Sequence, residues 1–288
     1  MPIENALVSL IGRLEQDRSL DEPRHLRKRV EALDDLDDLE ACLPDGQPIG
    51  TALHHRARAI YAELESVNSR LYEAIRQDIQ RGAGGGRLLE CMPDWNGAAN
   101  LISCRGYNYL DELISGVLRF EEPSTEVLPL ESEMVPYQPT PARHIFDLLG
   151  RTALTERDFL IDLGSGLGHV TLMASICTSA SCTGIELEPC YVDCARKSAR
   201  SLKLNDVRFI QGDARAADLS DGTVFYLYTP FIGTILRDVL NSLRHEAVSR
   251  EIRICTFGPC TRVVAEEPWL SVIGALEADR IALFRSHD

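Results

Sequence analysis

One stretch limits what this chain can fold into more than any other: Asp158-Phe159-Leu160-Ile161-Asp162-Leu163-Gly164-Ser165-Gly166-Leu167-Gly168-His169. A short apolar run ends in an acid, a glycine-rich bend follows, and an amphipathic helix opens with Val170, Leu172, Met173 and Ile176 on its apolar side. Glycines at 164, 166 and 168 allow a sharp turn and let a ligand come against bare main chain where a Cβ would clash. Their spacing narrows the ligand. A dinucleotide fingerprint, G-x-G-x-x-G, would place its third glycine at 169, and that position is His169.

The rhythm around this segment is that of a layered α/β domain. Strands are expected at 159–163, 182–187, 207–211, 224–228 and 252–257, with helices between most of them, which predicts βαβ units and a parallel sheet. Runs at 270–276 and 280–285, on either side of Glu277-Ala278-Asp279, predict an antiparallel hairpin that closes a seven-stranded Rossmann-like sheet. The chain before it reads as all-α. Leu7, Leu10, Ile11 and Leu14 recur at helical spacing, a second helix is expected at 23–42, and 45–50 reads as a break. A long helix at about 51–80 carries the stripe Leu53, Ala57, Ile60, Tyr61, Leu64, Val67, Leu71 and Ile75. Gly82-Ala83-Gly84-Gly85-Gly86 reads as a hinge, because no strand precedes it, and 107–120 as a further helix. Pro123, Pro129, Pro136, Pro139 and Pro141 forbid a continuous helix between these parts. The expected organisation is a helical domain over 1–122, a linker over 123–136 and a catalytic-type domain over 137–288.

Three further segments deliver chemistry to the carboxyl edge of the predicted sheet, where ligands of such sheets bind. Glu186, at the end of the second strand, lies 22 residues after Gly164, where an acid can accept hydrogen bonds from both hydroxyls of a ribose. Asp213 ends the third strand and Ala214 follows it; Tyr228-Thr229-Pro230-Phe231 ends the fourth. Taken singly, Asp213 also fits a turn cap and Glu186 a helix N-terminal charge. Tyr228 and Phe231 are the aromatics placed to surround a developing cation, and they also fit simple packing at the sheet edge. His169 fits either a base or a structural helix start, and His54-His55 reads as surface or inter-helix packing.

Preceded by Asp162, the glycine turn resembles the first motif of class I S-adenosyl-L-methionine-dependent methyltransferases. The resemblance implies that cofactor, held by Asp162, Gly164, Ser165, Gly166, Gly168, Glu186, Asp213, Ala214 and Tyr228, with an acid near the adenine amino group at Asp213. Tyr137-Gln138-Pro139-Thr140-Pro141, the helix 142–149 and the glycine turn together resemble the Rossmann-type, non-SET histone lysine methyltransferases and related bacterial enzymes. That likeness runs from about Tyr137 to Pro259 and implies that Tyr137 and Thr140 stand near the methionine end of the cofactor. The sequence departs from it where the family has paired asparagines and this chain has Tyr228-Thr229, and it lacks the family's basic tail. The implied activity is methyl transfer to an unidentified acceptor, a protein side-chain amine or a small molecule, with Tyr228 and Phe231 as the catalytic aromatics. The alternative is a module that holds the cofactor without catalysis and acts through a protein partner.

Charge bears on the acceptor. A formal net charge of -14 repels phosphate backbones and disfavours nucleic acid. The basic run Arg24-His25-Leu26-Arg27-Lys28-Arg29 is followed at once by an acidic one and reads as a solvated helical face. The nine cysteines include no Cys-x-x-Cys pair, so no metal is expected, and reduced thiols in a cytoplasmic protein are. No apolar run reaches 18 residues, and Met1-Pro2-Ile3-Glu4-Asn5 has no basic or apolar signal character, so neither a membrane span nor export is expected.

Overall fold

The computed structural model describes residues 2–41, 51–91, 108–121, 123, 129, 131–277 and 279–287. The expected break at 45–50, Tyr107 and Ala278 lie outside them. The first part is helical: α1 (Pro2–Gln16), α2 (Leu26–Ala41), α3 (Thr51–Gln80), the short α4 (Gly86–Glu90) and α5 (Tyr109–Leu118). Pro23 opens a single 3-10 turn (Pro23–His25), so the second helix starts three residues later than its apolar pattern suggests. The thirty-residue α3, about 45 Å long at 1.5 Å per residue, matches its predicted span. Its stripe is buried except at Tyr61, which stays in solvent. α5 begins at a capping box in which Asn108 and Asp111 satisfy each other's main-chain N–H groups.

The sheet order is β3-β2-β1-β4-β5-β7-β6. In chain order its elements are α6 (Ala142–Thr152), β1 (Phe159–Leu163), α7 (His169–Cys177), β2 (Ser181–Glu186), α8 (Pro189–Ser201), β3 (Val207–Gln211), β4 (Val224–Leu227), α9 (Gly233–Ala247), β5 (Arg253–Thr256), α10 (Cys260–Ala265), β6 (Leu270–Ile273) and β7 (Ala282–Ser286). Strands β1 to β5 are parallel; β7 runs antiparallel to both β5 and β6, which is the expected closing hairpin. The chain leaves β1 towards β2 and β3 on one side and β4 and β5 on the other. That reversal opens a crevice at the carboxyl ends of β1 and β4. Helix α7, read as amphipathic, is buried on most sides because helical segments cover the face it would otherwise show to water.

Residues on both sides of the proline-rich segment share one core. Leu71, Ile75, Leu113 and Val117 from α3 and α5 join Leu172, Met173, Leu160 and Tyr226 from the sheet and α7 in a single apolar cluster. The other sheet face packs on α9 and α10 through Phe225, Leu227, Leu236 and Val264. A separate cluster of α1, α2 and the first half of α3 sits at the far end of the long helix. Among the described residues, no helix is long and apolar enough to cross a membrane.

One member of the basic run is not solvated. Arg29 is wholly buried; its guanidinium donates to Asn68 Oδ1 (2.6 Å) and to the carbonyls of Leu20, Glu22 and Pro23. A fixed multi-donor cation gathers the carbonyls of the irregular turns before α2, of which Glu22 O also accepts from His25 N–H. Arg24, Arg27 and Lys28 are exposed as expected. Arg29→Met should remove the donor these acceptors share, at about 1–3 kcal/mol for each one left unsatisfied, for a total loss of at least about 3 kcal/mol in urea unfolding. Arg27→Met, which removes an exposed pair with Glu31, should cost about 0.5 kcal/mol or less.

Candidate active site

The glycine turn is pinned to the end of β2. The Gly164 and Ser165 N–H groups both donate to Ile185 O (2.9 and 3.0 Å), and Gly166 N–H donates to Glu186 Oε2 (2.7 Å). Glu186 Oε1 accepts from Glu188 N–H (2.9 Å), so one carboxylate ties the turn to the start of α8. Gly164 (φ 81°) and Gly166 (φ 54°) need the left-handed region, and each lies flush against a neighbour. A Cβ on Gly164 would stand 2.3 Å from Pro230, and one on Gly166 would stand 2.1 Å from the Tyr137 ring.

Beside this turn opens a cavity of about 820 Å³, within the range of sites that hold a small molecule. It gathers Tyr137, Thr140, Asp162, Gly164, Ser165, Glu186, Asp213, Ala214, Tyr228 and Phe231, all read from the sequence, into one wall. Gly166 and Gly168 do not line it: Tyr137 covers the first, and the Phe209 ring backs the second.

Asp162 is the most buried acid of the wall. It accepts from Thr171 Oγ1 (3.0 Å), and burial, with a smaller contribution from the charge of Glu186, pushes its carboxyl up to about 7. Asp213 is more committed than its position suggested. It caps the 3-10 turn Ala214–Ala216 and pairs with the Arg215 guanidinium through both oxygens, which holds it below its ordinary value. Thr140 bonds the Tyr226 hydroxyl (2.9 Å), and Tyr137 Oη lies 3.2 Å from His169 Nδ1. Desolvation lowers the His169 imidazole to about 4, so it is neutral at pH 7. Tyr228 packs against Phe257 with ring centroids 4.9 Å apart, and Phe231 is held in the core by the bridge from Met134 to its own main chain.

The sequence reading missed Tyr226, Tyr191 and Phe257, which also line the cavity. Tyr226 was findable: it is a hydroxyl inside an apolar strand, and the parallel register sets it beside Asp162. Phe257 sits just past the end of β5, where no motif marks it. His54 and His55 lie on α3 and take no part in the cavity. Among the described residues no group of three metal-ligating side chains occurs.

Residues 160–246 match the family model described as methyltransferase domain. A release factor glutamine methyltransferase from Vibrio cholerae is 36% identical over 104 residues, covering 35% of this chain and 35% of its own length. The chain thus spans about a third of that curated relative. Among solved structures, an RNA methyltransferase from Salinibacter ruber in complex with S-adenosyl-L-homocysteine shares 26% identity over 52% of this chain and 92% of its own, with a TM-score of 0.39. A methyltransferase from Thiobacillus denitrificans, also with S-adenosyl-L-homocysteine, shares 24% over 41% and 49%, with a TM-score of 0.35. The strand order is that of a Rossmann-like sheet, and the segment that matches the methyltransferase domain model runs from β1 to α9. The finer likeness to histone lysine methyltransferases gains no support from these relatives.

The buried acid gives a pH test. Asp162 holds its proton more tightly in the fold than in the unfolded chain, so stability should fall as pH rises from about 4 to about 7. Asp162→Asn should flatten that slope by up to about 1.4 kcal/mol per pH unit, measured by denaturant unfolding across the window. Identical slopes in the two proteins would show that Asp162 ionises freely.

Proposed function

We propose that this protein is an S-adenosyl-L-methionine-dependent methyltransferase acting on a small molecule or a protein side-chain amine. The observation that carries this reading is the charge of the cavity. Its lining includes the acids Asp162, Glu186, Glu188 and Asp213, the last paired with Arg215, and among the described residues no lysine or arginine; it lies against a glycine turn that ends a parallel strand. A site of that sign disfavours a pyrophosphate, which the neighbouring turn of a dinucleotide enzyme would hold, and suits a nucleoside that carries positive charge.

The residues fit such a cofactor. Each Glu186 oxygen already accepts one main-chain bond and keeps a lone pair for a ribose hydroxyl. The Ser165 hydroxyl is buried at the cavity wall without a partner among the described residues, a polar atom that a ligand would satisfy. Asp162, beside Tyr226 at the ends of β1 and β4, would face the methionine portion, and Ala214 with Asp213 the adenine. When bound, the cofactor supplies a methyl group already activated on a sulfonium.

The chain's own task is then to align the acceptor and exclude water. Tyr228, Phe231 and Phe257 form an apolar wall whose ring faces stabilise positive charge on a methylated product. An amine acceptor must be neutral to react, and a free lysine is neutral only about once in 2,500 molecules at pH 7, so desolvation against this wall assists it. The acceptors of the relatives, a release factor glutamine and RNA, are not carried over. The net charge of -14 opposes RNA.

Ligand binding tests the reading. S-adenosyl-L-homocysteine at about 100 times its Kd should stabilise the fold by about 2.7 kcal/mol, seen as a raised Tm, whereas NAD should leave Tm unchanged. Gly166→Arg should abolish the shift. A well-folded protein that ignores S-adenosyl-L-homocysteine refutes the proposal; binding without methyl transfer to any lysate fraction favours a non-catalytic module instead.

A further inference from the structure

The cofactor reading leaves His169 without a task. It is the first residue of α7, directly after the glycine turn, and its part-buried ring lines the cavity. Two neighbours hold that ring. Phe120 packs on it with centroids 4.5 Å apart and planes at 47°, and Tyr137 Oη lies 3.2 Å from its Nδ1. A neutral imidazole offers one acceptor nitrogen, and with Nδ1 in that role the Tyr137 hydroxyl donates to it.

Each neighbour is itself fixed. Phe120 follows α5, and the chain there is bound to α8: Ser198 Oγ donates to Leu118 O (2.8 Å), Lys197 pairs with Glu121 (2.7 Å), and Cys194 Sγ donates to Glu121 O (3.4 Å). Tyr137 belongs to the proline-rich segment. Its ring abuts Gly166 through Cδ2 and Cε2 and its centroid lies 5.0 Å from that of the Tyr191 ring. A line of contacts therefore runs from the helical part of the chain through Phe120 and His169 to the ring that covers the glycine turn.

We infer that His169 is a positioning residue: wedged between Phe120 and the Tyr137 hydroxyl, it fixes the Tyr137 ring across the glycine turn and so sets how long the nucleoside cofactor stays bound. The inference rests on the cofactor reading above. It goes further in giving the helical part of the chain a mechanical part in cofactor retention. The contact acts through Tyr137, so losing either partner of the hydrogen bond should have the same consequence.

The test uses the full chain and S-adenosyl-L-homocysteine, with dissociation rates from stopped-flow and Kd from calorimetry. Tyr137→Phe and His169→Leu should each speed dissociation about fivefold, the worth of one neutral hydrogen bond. The double variant should be no faster than either single one, as for two ends of one interaction. His169→Asn, which returns an acceptor oxygen near the place of Nδ1, should restore most of the retention. Unliganded Tm values should not follow this order. Tyr137→Phe keeps the ring and His169→Asn keeps an acceptor in place, so they carry the test if the leucine variant fails to fold. Additive single effects, an asparagine variant no better than leucine, or unchanged dissociation rates would overturn the inference while leaving the cofactor reading intact. Wild-type protein that binds no S-adenosyl-L-homocysteine would overturn both.

Discussion

The carboxylate of Glu186, shared between the N–H groups of Gly166 and Glu188, is the contact on which the shape of the cavity depends. Without it the glycine turn would be held to β2 only through the carbonyl of Ile185. A charged acceptor makes the stronger kind of hydrogen bond, and here it fixes two loops from adjacent strands at once. The bare Cα atoms of that turn serve packing as well as ligand approach. Pro230 occupies the space beside Gly164 and Tyr137 the space beside Gly166, so the loop after β4 and the proline-rich segment close onto the same bend. The turn thus organises three parts of the chain before any ligand arrives.

The proline-rich segment is better described by what it touches than by its composition. After a turn closed by Met134 N–H on Glu131 O, residues 134–140 run along the cavity. Ile232 N–H donates to Glu133 O, Val135 N–H to Pro230 O, and the Glu133 carboxylate accepts from Thr234 and from Ile235 N–H at the start of α9. At its other end Thr140 reaches Tyr226, and Asp111 of α5 accepts from Ala142 N–H, capping α6. Proline suits such a strap because fixed φ lowers the entropy lost in holding an extended path. The helical part of the chain enters the site by this route, through a cap and a ring contact rather than through residues of its own in the cavity wall.

Much of this was legible in the sequence, and the failures share a cause. Strands β1 and β3 and the helix α3 were found to the residue, because β1 is a buried, mostly apolar run, β3 alternates buried Val207 and Phe209 with exposed neighbours, and a long helix repeats its stripe many times. Strands β2, β4 and β5 and the closing hairpin were found within a few residues, since ladder hydrogen bonds rather than side-chain type decide where a strand stops. The site residues at strand ends came together because topology alone carries them to one edge. What stayed hidden depends on long-range partners. Arg29 looks like its exposed neighbours until Asn68, 39 residues away, is placed beside it. Asp213 looks free for a ligand until Arg215 folds back on it. Phe257 has no motif, and only the adjacency of β4 and β5 sets it against Tyr228.

Asp162 shows how the site and the fold compete. A carboxyl at the end of a central strand, with one hydroxyl donor and Glu186 as a neighbouring charge, is costly to ionise. An asparagine would keep the bond from Thr171 without that cost, so packing alone does not account for an acid at this place. What an acid adds is a charge that becomes affordable when a cation enters the cavity, because the ligand then supplies the opposite charge that the protein withholds. Near neutral pH such a group is balanced between its two forms, and the local field can deepen as the ligand arrives. Among the described residues the lining holds no lysine or arginine, so under the proposed cofactor reading the positive charge that would stabilise Asp162 and Glu186 is left for the ligand to bring.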